Sequence, residues 1–205
     1  MLDFFINTYK NVSSFNICLE ILTFVFGVWS VLLARKQNIL TFQVGLLATS
    51  ITVYLLFMAG YYGDMAINFY YSIMSIYGWY KWRKHSFFET ELAISRTNFR
   101  QKTLGFILFL ITMIVVILVY KIFDFKIATE NYFDIFTSGI FFTAMWFMAL
   151  KKIENWTLWI LGNAIVVPLY AFKGLYILAI EYIIFTILAI LAYFEWKNIL
   201  KHQTV

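Results

Sequence analysis

One cysteine, two histidines and 13% charged residues are all that 205 positions hold of the chemistry on which most enzymes and soluble domains depend. Cys18 alone cannot close an intramolecular disulfide and reads as a small packing residue. His85 and His202 fall in polar segments, and no H-E-x-x-H, metal-spaced Cys or His set, G-x-S-x-G or phosphate-cradling glycine loop accompanies them. The reading is therefore not an enzyme, with no metal site and no cofactor expected. Against that scarcity stand 62% hydrophobic and 21% aromatic residues and a mean hydropathy of +0.78, which leave no room for a soluble domain.

What is present is seven apolar stretches separated by short charged clusters, near 15–34, 39–59, 61–82, 103–120, 132–150, 155–172 and 174–196. Each has about the 17–25 residues that cross roughly 30 Å of hydrocarbon as a helix. The expectation is an all-α polytopic membrane protein, one membrane domain over 1–205. Met1-Leu2-Asp3-Phe4-Phe5 has neither a basic n-region nor a small-residue cleavage site, so the first span is expected to be retained.

Lysine and arginine sort by side if the spans alternate. Arg35, Lys36, Lys81, Arg83, Lys84, Arg96, Arg100, Lys102, Lys151, Lys152, Lys197 and Lys201 share one face, leaving Lys10, Lys121, Lys126 and Lys173 on the other. Such asymmetry marks the cytoplasmic face. It predicts a plasma (inner) membrane protein with its N-terminus outside and C-terminus inside. The net charge of +5 needs no nucleic acid, since basic loops face an anionic leaflet of membrane lipid.

An internal repeat pairs Asn38, Gly45, Tyr54, Gly60 and Trp82 with Asn155, Gly162, Tyr170, Gly174 and Trp196, in the same order with small indels. It divides the chain into a three-helix unit over 15–82 and a second over 132–196, both entering from the same side, with 103–120 between them. That linker is almost uniformly Leu, Ile, Val, Phe and Met, with Thr112 as its one internal polar residue. Parallel three-helix repeats are a transporter architecture, with the substrate near mid-membrane between them.

Polar residues within the spans fall into stripes at helical spacing. Span three carries Asp64, Asn68, Tyr71, Ser72, Ser75 and Trp79; span two Gln43, Ser50 and Tyr54; span six Asn155, Trp159, Asn163 and Tyr170. Amides without partners are costly in hydrocarbon, so the stripes face protein or water, either gluing helices together or lining a pathway. Glu181 lies about seven residues into the last span, roughly 10 Å deep, with no lysine or arginine expected at its level. An ionisable residue at such depth is a functional candidate. Trp159 shares a face with Asn155 and Asn163 and can stack a planar ligand. An acid, amides and aromatic faces together suit a flat organic cation. The candidate substrate-binding residues are Glu181, Asn68, Asn163, Trp159, Gln43, Tyr71 and Trp79.

Gly63-Asp64-Met65, Asn68-Phe69-Tyr70 and Tyr77-Gly78-Trp79-Tyr80-Lys81-Trp82 in the first half resemble the Pnu-type vitamin transporters. So do Trp146-Phe147-Met148-Ala149, Glu154-Asn155-Trp156-Thr157-Leu158-Trp159, Leu169-Tyr170, Lys173-Gly174-Leu175-Tyr176 and Glu195-Trp196 in the second. The resemblance covers about residues 20–197. It implies seven spans in two parallel repeats around a linker, a homotrimer, and facilitated diffusion of an unphosphorylated vitamin that a cytosolic kinase then traps. Members divide among nicotinamide riboside, thiamine and riboflavin. Glu181 tilts against neutral riboflavin, so the expectation is a nicotinamide riboside transporter serving NAD biosynthesis. Thiamine is the alternative within the class, and a non-transporting membrane subunit or receptor the alternative outside it.

Overall fold

The computed structural model describes residues 13–58, 62–87, 92–122, 129–172 and 176–203. Lys10, Gly60, Lys126, Lys173 and Gly174 lie outside this set, as do the side chains of Asp64, Lys84 and His85. Among the described residues seven helices follow one another: α1 (Ser14–Arg35), α2 (Leu40–Met58), α3 (Tyr62–Phe87), α4 (Phe99–Ile122), α5 (Thr129–Ala149), α6 (Glu154–Phe172) and α7 (Tyr176–Gln203). Among the described residues, six are long and apolar enough to cross a membrane. The seventh, α3, has 26 residues, about 39 Å at 1.5 Å per residue. Its stripe of Asn, Ser, Tyr and Trp lowers its hydropathy. The chain is an all-α multi-pass membrane protein.

Several helices outrun their apolar cores, because a charged residue at the membrane edge need not end a helix. α3 continues to Phe87 and α7 to Gln203. The linker begins at Phe99 rather than 103 because its cap lies there: Asn98 Oδ1 accepts from the Gln101 amide at 2.8 Å while Gln101 Oε1 accepts from the Asn98 amide at 3.0 Å. Ser13 caps α1 in the same sense, accepting from Asn16 N at 3.2 Å.

Packing closes six helices into a ring in the order α1, α2, α3, α5, α6, α7 and back to α1. The linker α4 stands outside and packs on α5. Gly105 and Gly139 allow that approach, since a Cβ at either would lie 2.7 Å from Phe147 Cζ or 2.6 Å from Phe109 Cδ2. Thr112 satisfies its own hydroxyl on Leu108 O at 2.9 Å, so α4 offers no polar group to the lipid it faces through Phe106, Ile107, Leu110, Ile111, Ile114 and Leu118.

The two halves of the ring repeat in helix boundaries. α1 ends at 35 and α5 at 149; α2 spans 40–58 and α6 154–172; α3 starts at 62 and α7 at 176, each a step of 114 residues. The connections repeat bond for bond. Gln37 N donates to Ala34 O and Lys151 N to Met148 O, both at 3.0 Å; Asn38 N donates to Leu33 O and Lys152 N to Phe147 O, both at 2.9 Å. Gln37 and Lys151 hold left-handed backbones, φ 55° and 49°. Edge-on ring pairs recur too, Phe42 on Trp82 (4.8 Å, 88°) and Trp156 on Trp196 (5.5 Å, 87°). This spacing corrects the register read from sequence. Trp82 and Trp196 obey it, whereas Asn38 with Asn155, Gly45 with Gly162 and Tyr54 with Tyr170 are displaced by two or three residues. The positional counterpart of Asn155 is Thr41: both amides close a turn at 3.0 Å, onto Lys152 O and Asn38 O.

The helix ends that carry the twelve lysines and arginines meet at one end of the bundle. There Ala34, Phe42, Trp82, Ile94, Met148, Ile153, Trp156, Ala189, Ala192 and Trp196 form a buried plug that joins every helix of the ring. Trp196 Nε1 donates to Ala34 O and Arg35 O, and Arg35 pairs with Glu195. The segment before α4 is pinned to the α5–α6 connection by Ser95 N to Lys151 O (3.1 Å), Ile153 N to Ser95 O (3.0 Å) and Lys152 Nζ to Ser95 Oγ (2.7 Å). Partial burial there holds the Lys152 ammonium below the usual lysine range, opposed by the nearby Glu154 carboxylate.

Candidate functional site

Two ring contacts cross the interior of the bundle. α3 and α6 are not neighbours in the ring, yet Tyr71 and Trp159 come to 6.4 Å between centroids. α5 and α7 are likewise separated by α6, yet Phe141 and Tyr182 come to 6.4 Å. These four rings therefore line the interior. Phe141 stacks on Trp159 at 5.2 Å and 25°. It lies flat against α6 because residue 162 is glycine: a Cβ there would sit 2.3 Å from Phe141 Cε1. Tyr182 meets Tyr170 edge-on at 5.4 Å and 75°. Beside this group Tyr70 stacks on Phe142 at 3.7 Å and 4°, and its hydroxyl donates to Phe142 O at 3.1 Å, which ties α3 to α5.

Asn163 follows Trp159 by one turn on α6 and is 2% exposed. Its amide makes no hydrogen bond among the described residues and is not wholly occluded. What little surface Asn163 keeps thus belongs to an amide with access to the space between the helices. A buried amide in this condition costs about 1–3 kcal/mol unless another molecule completes it. Some hydroxyls between neighbouring helices are paired: Ser30 and Thr41 bond across α1 and α2, and Thr49 and Ser72 across α2 and α3 at 2.8 Å.

The other sequence candidates are placed as follows. Glu181 is half-buried, with no hydrogen bond or ion pair among the described residues. It heads the α7 face that continues through Phe185, Ala189, Ala192 and Trp196, which packs on α1 through Gly27 and Ala34. Asn68 lies one turn before Ser72 on the side of α3 that meets α2. Gln43 is exposed, on the same outward face of α2 as Leu47, Ser50, Tyr54 and Phe57 and away from the interior rings. With Trp79 it borders a groove of about 270 Å³ between α2 and α3. Asn155 is buried at the basic end, where its Nδ2 donates to Lys152 O at 2.6 Å. The structure thus gathers Tyr71 and Trp159, sets Asn163 beside them, and leaves Gln43 and Trp79 apart. Phe141 and Tyr182 join the group without having been singled out from sequence. Tyr182 follows Glu181 directly, while Phe141 sits in an apolar run and gives no signal.

The sequence profile of the nicotinamide mononucleotide transporter family matches residues 17–198. The chain belongs to this family. It is a family of transporters rather than enzymes. The nicotinamide riboside transporter PnuC of Escherichia coli (strain K12) and that of Shigella flexneri are each 26% identical to the chain over 195 residues, covering 84% of it and 82% of the relative. The crystal structure of the vitamin B3 transporter PnuC shares the fold, with a TM-score of 0.71 and 23% identity over 96% of this chain and 86% of that one.

Proposed function

We propose that the chain carries nicotinamide riboside across the plasma membrane by facilitated diffusion, with cytosolic phosphorylation trapping the product. The observation that carries this reading is the unpaired, buried Asn163 amide beside the stacked Trp159–Phe141 pair, with Tyr71 and Tyr182 facing them. Aromatic faces hold a flat cationic ring by dispersion and cation–π attraction, and an amide reads a polar substituent such as a carboxamide. Glu181, half-buried and without a partner among the described residues, adds attraction for a positive ring. The names of the two relatives agree with this substrate.

In this reading α1–α3 and α5–α7 are two parallel three-helix repeats and α4 restores orientation between them. The lysine and arginine asymmetry puts the N-terminus outside and the plugged basic end in the cytoplasm. Release to that side then requires the Trp82, Trp156 and Trp196 plug to part. The outward polar groups Gln43, Ser50 and Tyr54 favour covering by another protomer, as in a homotrimer, over contact with lipid.

Thiamine is the second reading, because an acid and an aromatic cage serve any flat ring cation. Calorimetric titration of the purified protein with nicotinamide riboside, thiamine and riboflavin separates the three. Nicotinamide riboside should bind tightest, and preferred binding of riboflavin would overturn the cation argument. Substrate-dependent uptake in vesicles tests transport itself; binding without uptake would favour a receptor.

A further inference from the structure

At the basic end the adjacent residues Glu195 and Trp196 of α7 dock on the last turn of α1. Trp196 Nε1 donates to Ala34 O at 3.2 Å and to Arg35 O at 3.1 Å, while the Glu195 carboxylate accepts from the Arg35 guanidinium. The last carbonyls of a helix have no partner within it, so the two residues both cap α1 and clamp the α7–α1 junction. The step of 114 residues relates Ala34, Arg35, Glu195 and Trp196 to Met148, Ala149, Lys81 and Trp82, at the α3–α5 junction, where the two halves of the ring also meet. There the clamp is not built. Ala149 has no charge to offer where Arg35 has a guanidinium, and Lys81 stands in place of the acid. The Trp82 indole is buried like that of Trp196, yet its Nε1 bonds to neither Met148 O nor Ala149 O. The Lys151 ammonium lies over its ring instead, 4.4 Å from the centre.

We propose that the basic end opens along the α3–α5 junction, with Trp82 as the moving gate and the Glu195–Trp196 clamp on α1 as the hinge that stays shut. The inference rests on the transport reading and specifies which side of the plug parts. For α7 to leave α1, the Arg35–Glu195 pair and both bonds of the Trp196 indole must break. For Trp82 to leave the α5–α6 connection, the cation–π contact with Lys151 is given up, and the indole N–H moves toward water, which offers it an acceptor. About 18 Å along α3 from Trp82, at 1.5 Å per residue, Tyr70 stacks on Phe142 and its hydroxyl donates to Phe142 O. That contact ties the same junction at the level of Tyr71 and Phe141, so the opening runs from the basic end up to the interior rings.

Cysteines placed at the two junctions read the opening without substrate, so the test is independent of whether the chain transports. In a Cys18→Ser background, Ala34→Cys and Ala149→Cys make the same change at the ends of α1 and α5, at positions 1% and 0% exposed. A water-soluble maleimide added to the purified full-length chain in detergent should label Ala149→Cys at least about tenfold faster than Ala34→Cys, because a buried thiol reacts only while its junction is open. Met148→Cys, the matching position to Ala34, should label fast as well, and it serves should Ala149→Cys fail to fold. Adding Glu195→Gln loosens the clamp and should speed labelling of Ala34→Cys about threefold while leaving Ala149→Cys unchanged. Equal rates at the two junctions, or faster labelling of Ala34→Cys, would overturn the assignment of gate and hinge. The expected pattern in a chain that shows no substrate uptake in vesicles would sustain the hinge and overturn the transport reading.

Discussion

Lys151 Nζ donates to Gln37 Oε1 at 3.3 Å, and these two residues, 114 positions apart, occupy matching places in the two halves of the ring. The same ammonium lies 4.4 Å from the centre of the Trp82 ring, in a residue only 6% exposed. The contact is therefore one of the places where the halves touch at the basic end, beside the Arg35–Glu195 pair and the Trp196 bonds to Ala34 and Arg35. Replacing Lys151 by Met keeps the stem and removes the cation. Thermal unfolding in detergent should show a loss of about 1–2 kcal/mol, from the cation–π contact and the bond to Gln37. Lys36→Met, at an exposed position, should leave the transition in place.

Gly162→Ala should be the more damaging of two superficially equal changes. Its Cβ would meet the Phe141 ring at 2.3 Å, whereas a Cβ at Gly27 would find Phe185 at 3.4 Å, an ordinary contact. Overpacking of this kind costs about 1–3 kcal/mol. Uptake by Gly162→Ala should fall with the displacement of Phe141 from Trp159, and Gly27→Ala should transport normally; equal activity in both would show that the stack can shift freely.

Asn163→Leu should reach the membrane in normal amount and lose most uptake, since the amide holds no helix to another. Ile111→Leu, on the outward face of α4, should behave as the unmodified chain. Matching uptake by the two variants would return Asn163 to a packing role.

Glu181→Gln preserves shape and removes charge. Affinity for nicotinamide riboside should fall at least about tenfold, a loss of roughly 1.4 kcal/mol, with the fold intact. Titration calorimetry checks it, and unchanged affinity would make Glu181 a spectator.

Orientation is read by cysteine labelling in a Cys18→Ser background, because Cys18 is itself exposed. Ala93 is the position to use: it is exposed, whereas Ser95 is half-buried and bonded to Lys152. An impermeant reagent should reach Ala93→Cys only after the membrane is opened. Labelling in intact cells would invert the topology.

Helix number and class were legible because hydrocarbon demands apolar runs of fixed length, and charges interrupt those runs wherever the chain returns to water. Tyr71, Trp159 and Asn163 were legible as members of stripes. What periodicity does not carry is direction: the stripe of Gln43, Ser50 and Tyr54 has the same spacing as that of Trp159 and Asn163, yet it faces outward. Phe141 was invisible because its position depends on Gly162, a residue on another helix. The repeat register slipped because Asn38 and Asn155 share a residue type but do different work: Asn38 Oδ1 accepts from Leu40 N, and Asn155 Nδ2 donates to Lys152 O.

The step of 114 residues has a consequence for whatever occupies the ring. Phe141 and Trp159 fall where the first half has Gly27 and Gly45, so the two halves share a backbone plan and differ at the surface they present inward. Two identical halves would offer a bound molecule two equivalent poses related by a half-turn. A solute with no such symmetry of its own would then lie in either of two orientations, turned by half a revolution about the axis that relates the halves. Glycine on one side and stacked aromatics on the other remove that degeneracy, so each molecule meets the ring the same way round.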